Sequence, residues 1–213
     1  GKLTYAKKML RPNPKGSILW VTMSLPRYAR THISDFLGPQ MPQYHSEQER
    51  FAKSVSPEVH ELLLQRLYVV DYGWDEYKRW VDFDPSLKLY QGGIPIFDQL
   101  NESRLCIVTS NATVYLENFS ANFPTILFWN PKYYEVRDSA KTYFEDLRRV
   151  GILHDTPESA AAKVNNIYKN PISWWGSSKV QEVKNKFCNQ FARSSDNWIY
   201  QWKEKLFDLT YTD

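Results

Sequence analysis

The sequence predicts an α/β domain, a doubly wound and mostly parallel sheet with a helical extension at its C-terminal end. Three observations predict it. Short apolar runs at 18–25 (ILWVTMSL), 105–110 (LCIVTS) and 125–129 (TILFW) read as strands buried on both faces. An amphipathic stretch, TVYLENFSAN, lies between the last two of them. Asp155-Thr156-Pro157-Glu158 then marks a helix start, with Thr156 as cap, Pro157 at the first helical position and Glu158 at the positive helix end. Strands that alternate with helices need crossover connections, and these give a parallel sheet covered on both faces.

Taken in order, the first strand at 18–25 closes at Pro26, and residues 26–45, with three Pro and one Gly, read as a long loop. Ser46 or Ser56 caps the next helix, and SPEVHELLLQRL starts it with Pro57 and Glu58 in the first turn. A strand is expected at 66–70, a short helix within DYGWDEYKRW, a weak strand at 87–91 and a short helix in PIFDQLNES. A helix over 138–150 stops at Gly151, where a left-handed residue is favoured, and ILH at 152–154 is a last strand. After Pro171 the chain reads as helical to about residue 208. The expected division is therefore 1–170 for the sheet domain and 171–213 for helices packed on it, with five or six strands in all.

Composition narrows the function. A net charge of +3 with Lys and Arg scattered along the chain gives no basic stripe for nucleic acid, while leaving room for a phosphorylated ligand or for peripheral contact with an anionic membrane. No apolar run reaches the length of a membrane span or a signal-peptide core, so a cytoplasmic protein is expected, extending to the inner face of the membrane. Cys106 and Cys188 both lie in apolar patterns and read as thiols rather than a disulfide. The glycosylation sequons at Asn101, Asn111 and Asn118 read as chance in that setting. His32, His45 and His60 have no ligand-like spacing, and Asp-x-Asp is absent, so no metal and no cofactor are predicted. The Gly-rich loops of P-loop NTPases and dinucleotide oxidoreductases and the Gly-x-Ser-x-Gly elbow of serine hydrolases are also missing.

The chemistry concentrates in VTSNATVYLENFSANFPTILFWNP, residues 108–131. In doubly wound sheets ligands bind beyond the carboxyl ends of strands, at the start of the next helix. Thr109, Ser110, Asn111 and Thr113 stand there, where hydroxyls and the free N–H groups of a first helical turn suit a phosphate. A lone Ser-Asn-Ala-Thr turn serves equally well as an ordinary helix cap. The downstream spacing favours the ligand. Glu117 lies one turn beyond Thr113 on the same helix face, in reach of a ribose whose phosphate sits at the helix start. Asn122 then ends the helix and Pro124 opens the next strand.

This layout of strand, small polar turn, helix, Glu and Pro before an apolar strand resembles the Rossmann-like donor-binding domain of two-domain, GT-B type glycosyltransferases. Asn122 stands where those proteins usually have Gly, and Ser110-Asn111 replaces a Gly-Gly pair. A longer resemblance covers about 60–193. RLYVVDYGW (66–74), TSNATVYLENFSANFPTILFWNPKYYEVRDSA (109–140), VGILHDTPESAA (150–161) and SWW (173–175) are similar to a family of transferases encoded in bacterial O-antigen and surface-polysaccharide regions. In that family the first segment carries Pro-His where this chain has Val69-Val70. The resemblance implies a nucleotide-sugar donor, a glycan acceptor and a missing N-terminal domain of the same enzyme, with this chain alone incomplete and inactive. Two alternatives stay open: a nucleotide-sugar epimerase of similar architecture, and a non-catalytic domain that docks a partner.

Further candidates lie at the strand ends. Arg66 could neutralise a donor phosphate or pair with Asp71 or Asp75, and Tyr68 and Asp71 share its edge. Ser24 and Arg27 end the first strand, and Asn130, with Lys132 to Glu135, comes after the strand at 125–129 and would border the base. His154 caps a strand and is more often structural in such a place. Trp174, Trp175, Trp198 and Trp202 read as core or interdomain packing. No residue presents itself as the catalytic base.

Overall fold

The computed structural model describes residues 9–28, 37–195 and 197–211, and the expectations for His32 and the first eight residues lie outside them. Six parallel strands form one sheet: β1 (Ser17–Val21), β2 (Leu63–Arg66), β3 (Lys88–Tyr90), β4 (Ser103–Val108), β5 (Thr125–Phe128) and β6 (Leu153–His154). Their spatial order is β3-β2-β1-β4-β5-β6. The connection runs outward from β1 on one side and outward from β4 on the other, so β1 and β4 flank a topological switch point.

The helices divide between the two faces as right-handed crossovers require. α1 (Met41–Ser54), α2 (Pro57–His60), α3 (Glu76–Phe83) and α7 (Pro157–Ile167) contribute to one core with Ile18, Trp20, Leu105 and Ile107. α4 (Ile96–Asn101), α5 (Thr113–Ser120), α6 (Asp138–Arg149), α8 (Pro171–Trp175) and α9 (Ser178–Phe191) contribute to the other, with Leu19, Cys106, Val108 and Leu127. Neighbouring strand residues point to opposite faces, so one apolar run feeds both cores. α10 (Trp198–Tyr211) completes the helical C-terminal segment.

Two sequence expectations are corrected here. The stretch 26–45 is not all loop, because α1 begins at Met41 with Pro42 in its first turn, where a missing N–H costs nothing. Ser46 is therefore inside a helix, whereas Ser56 does cap α2, accepting from the Val59 amide at 3.4 Å. The second strand is Leu63–Arg66 rather than 66–70. Leu63 and Gln65 are fully buried, whereas Val69 is 62% exposed, so the β-branched pair 69–70 belongs to a loop. Trp175 is core, with its indole N–H donating to the Asn122 carbonyl at 3.0 Å, but Trp198 and Trp202 are exposed.

Candidate functional site

The crevice at the carboxyl ends of β1 and β4 is organised by α1. Polar side chains of this helix reach β1, the loop after β5 and the start of α3. Gln48 accepts from the Trp20 indole at 3.3 Å, Glu47 accepts from Asn130 Nδ2 at 2.9 Å, and Gln43 accepts from the Tyr133 hydroxyl. His45 Nε2 meets Glu76 Oε1 at 2.9 Å, joining α1 to the start of α3. Tyr44 reaches the switch point itself. The Met23 amide donates to Tyr44 Oη at 3.0 Å, Thr109 Oγ1 lies 2.6 Å from Tyr44 Oη, and Thr109 Oγ1 donates to the Val21 carbonyl at 3.1 Å. Only one direction satisfies all three: the Tyr44 hydroxyl donates to Thr109, which donates to Val21.

That chain occupies the Thr109 hydroxyl. Its hydroxyl proton is already committed to Val21 and the residue is fully buried, so it fixes β4 against β1 rather than donating to a phosphate. The residues after it are placed differently. Ala112 is the N-cap of α5 and has no side-chain oxygen to close the helix, so the first-turn amides carry no side-chain cap. Thr113 is exposed at the first helical position, and Asn111 and Ser110 flank it. Asn111 Oδ1 accepts from the Tyr115 hydroxyl at 2.8 Å, which turns its Nδ2 donors away from that bond. Glu117 is half-buried on the same helix, four residues or about 6 Å along the axis from Thr113. An uncapped helix start with neighbouring donors is suited to an anion.

Across the crevice, Ser24 is 2% exposed and its hydroxyl has no hydrogen-bond partner among the described residues. Arg27 is exposed, with its guanidinium 4.9 Å from the Trp74 ring, and that indole donates to the Leu25 carbonyl at 2.8 Å. The Arg66 side chain is engaged at the end of β2. Its guanidinium donates to Gln99 Oε1 and to the Ile94 carbonyl at 3.1 Å and lies 5.5 Å from the Tyr90 ring centroid, so it braces the loop before α4. The expected ion pairs with Asp71 and Asp75 are not made either. Asp71 Oδ1 instead accepts from the amides of Gly73, Trp74 and Asp75, and Tyr68 stacks on Tyr72 at 5.9 Å. Asn130 is occupied by Glu47 and by the Lys132 amide, which makes it a loop-closing residue.

His154 is a structural histidine. Its Nε2 lies 3.2 Å from the Gly151 carbonyl, which can only accept, so Nε2 carries the proton and Nδ1 accepts from Ser159 Oγ at 2.7 Å. Burial holds its pKa below the ordinary 6.5. Below that value the unfolded chain takes up a proton that the folded chain does not, so stability falls as pH drops through the window between the two. Thermal unfolding at pH 7.5 and at pH 5.5 should show a smaller drop for His154→Gln than for the parent chain. An equal drop would assign the acid sensitivity elsewhere.

The thiols offer no nucleophile. Burial pushes Cys106 up to about 12 and Cys188 up to about 11, and both are unpaired. Among the described residues no three His, Cys, Asp or Glu side chains group as metal ligands, and no helix is long and apolar enough to cross a membrane. Asn118 is 1% exposed, so its sequon is closed in the folded chain.

The LIC12162 family transferase profile matches residues 1–206. The chain belongs to that transferase family. Among solved structures, the trehalose-6-phosphate synthase OtsA superposes on the family member with a TM-score of 0.52 at 12% identity, covering 100% of this chain and 49% of that one. WaaG, a glycosyltransferase involved in lipopolysaccharide biosynthesis, gives 0.43 at 11% identity, covering 93% and 48%. The chain thus spans about half the length of the solved structures it matches. The first of these likenesses supports the doubly wound, Rossmann-like fold expected from the sequence. No curated protein matches the chain.

Proposed function

We propose that this family member is the donor-binding half of a glycosyltransferase that moves a sugar from a nucleotide-sugar to a surface-glycan acceptor. The uncapped first turn of α5, at the switch point of a transferase-family sheet, carries the reading. The amides of that turn, with Ser110, Asn111 and Thr113, would hold the diphosphate. Glu117 would accept from the ribose hydroxyls, and Ser24 supplies a hydroxyl donor from the β1 side.

In transfer, the bond between the sugar's anomeric carbon and the diphosphate oxygen breaks as an acceptor hydroxyl attacks that carbon. Negative charge gathers on the departing diphosphate, and the helix start stabilises it where it develops. The acceptor's proton passes to a base on the other half of the enzyme.

Calorimetric titration with UDP, GDP and dTDP tests the reading. One of them should bind saturably, and Glu117→Ala should weaken it roughly tenfold by removing the ribose acceptor. A variant that binds as the parent does would remove Glu117 from the site.

A further inference from the structure

At the opposite edge of the sheet, where α6 ends and β6 begins, a cavity of about 490 Å³ opens between α6, α7, α8 and the start of α9. β6 stands three strands from β1, roughly 14 Å away. Its lining includes three cations, Arg149, Lys163 and Lys179, and one carboxylate, Glu182. Trp174 also lines it, in contact with Lys163, as do Val180 and Val183, which are themselves buried.

Lys163 is held firmly and left uncompensated. Its Nζ lies 4.6 Å from the Trp174 ring centroid and packs over Gly151, where an added Cβ would stand 3.5 Å from it. Trp174 is itself pinned by its indole N–H to the Val150 carbonyl at 3.3 Å. Lys163 has no ion pair among the described residues, and burial lowers its pKa with nothing acting against it. Nearby, Asp146 is shared, with Arg149 Nη2 at 2.7 Å and Lys186 Nζ at 2.7 Å, so this side of the domain has more cations than carboxylates to meet them.

We propose that this cavity binds an amphiphilic anion, a phosphate ester joined to an apolar chain. The anionic head would sit between Lys163 and Lys179, and the chain would lie along the partly exposed Trp174 ring. A bare phosphate leaves the partly exposed Trp174 ring facing water, and an uncharged amphiphile leaves Lys163 half-buried without a counter-charge. The site is independent of the donor reading.

The probe is decyl phosphate below its micelle concentration, followed by calorimetry beside inorganic phosphate and decyl maltoside. Decyl phosphate should bind saturably and roughly tenfold more tightly than either comparison. Lys163→Met, which keeps the stem over Trp174, should abolish that preference, and exposed Lys179→Met should weaken binding without touching the fold. Equal binding of decyl maltoside, or decyl phosphate binding unchanged in both variants, would overturn the proposal. Co-sedimentation with phosphatidylcholine vesicles only when they contain phosphatidic acid would identify a membrane head group as the source. Decyl phosphate binding without co-sedimentation would identify a free ligand.

Discussion

Thr113→Glu should weaken nucleotide binding more than about tenfold while slightly stabilising the domain. Thr113 is exposed at the first position of α5, so a longer side chain meets no packing constraint. A carboxylate there interacts well with the positive helix end and should add about 0.5 kcal/mol to stability. The same charge occupies the cradle and repels an incoming diphosphate, costing more than about tenfold in affinity. The two effects have opposite signs, and this separates a site from a mere helix terminus. Thermal unfolding together with nucleotide titration of one variant checks both. Unchanged affinity with raised stability would mean that no anion binds at this turn.

Phe119→Ala should be the most damaging substitution on the same helix. Phe119 is fully buried and its ring lies 5.5 Å from Tyr115, 5.8 Å from Trp175 and 5.8 Å from Phe187. It therefore joins α5 to α8 and α9 across one core. Truncating a buried Phe to Ala costs about 3–5 kcal/mol through lost transfer energy and the cavity left behind. In a domain of this size that corresponds to roughly 10 °C or more in Tm. Differential scanning calorimetry checks it. A loss under about 1 kcal/mol would show that the helices collapse into the gap and that the aromatic cluster is not what fixes α5.

Much of this architecture was legible in local signals. β4, α5 and β5 are spelled out by an apolar run, a helical period and a second apolar run within residues 103–128. α7 announces itself through Thr156, whose Oγ1 accepts from the Ser159 amide at 3.2 Å. α1 was not legible, and the reason is physical. Its buried face carries His45, Glu47 and Gln48 beside Met41, Tyr44 and Phe51, and burying such polar groups is favourable only because Glu76, Asn130 and Trp20 meet them from distant parts of the chain. A periodicity argument counts those positions as solvent. β2 was misplaced for the converse reason, since Tyr68, Val69 and Val70 have strand-like chemistry but lie exposed in the loop.

The crevice was legible by position and less so by role. Residues 109–113 do stand at the switch point, but sequence cannot tell a hydroxyl that donates to a ligand from one already committed to Val21, as in Thr109. Arg66 shows the same limit, because its partners Gln99 and Ile94 lie some thirty residues on in the chain. Tyr44, which no motif marks, proves to be the link between the β1 and β4 loops. Only the tertiary bond reveals it.

The most direct test of the central claim is to follow the backbone amides of residues 113–115 by ¹⁵N NMR while titrating nucleoside diphosphates. The reading predicts large, saturating shifts at these three amides with one nucleotide, tracking the same curve as the side-chain amide of Asn111. Saturating shifts confined to another part of the domain, or none at these amides with any nucleotide, would contradict it.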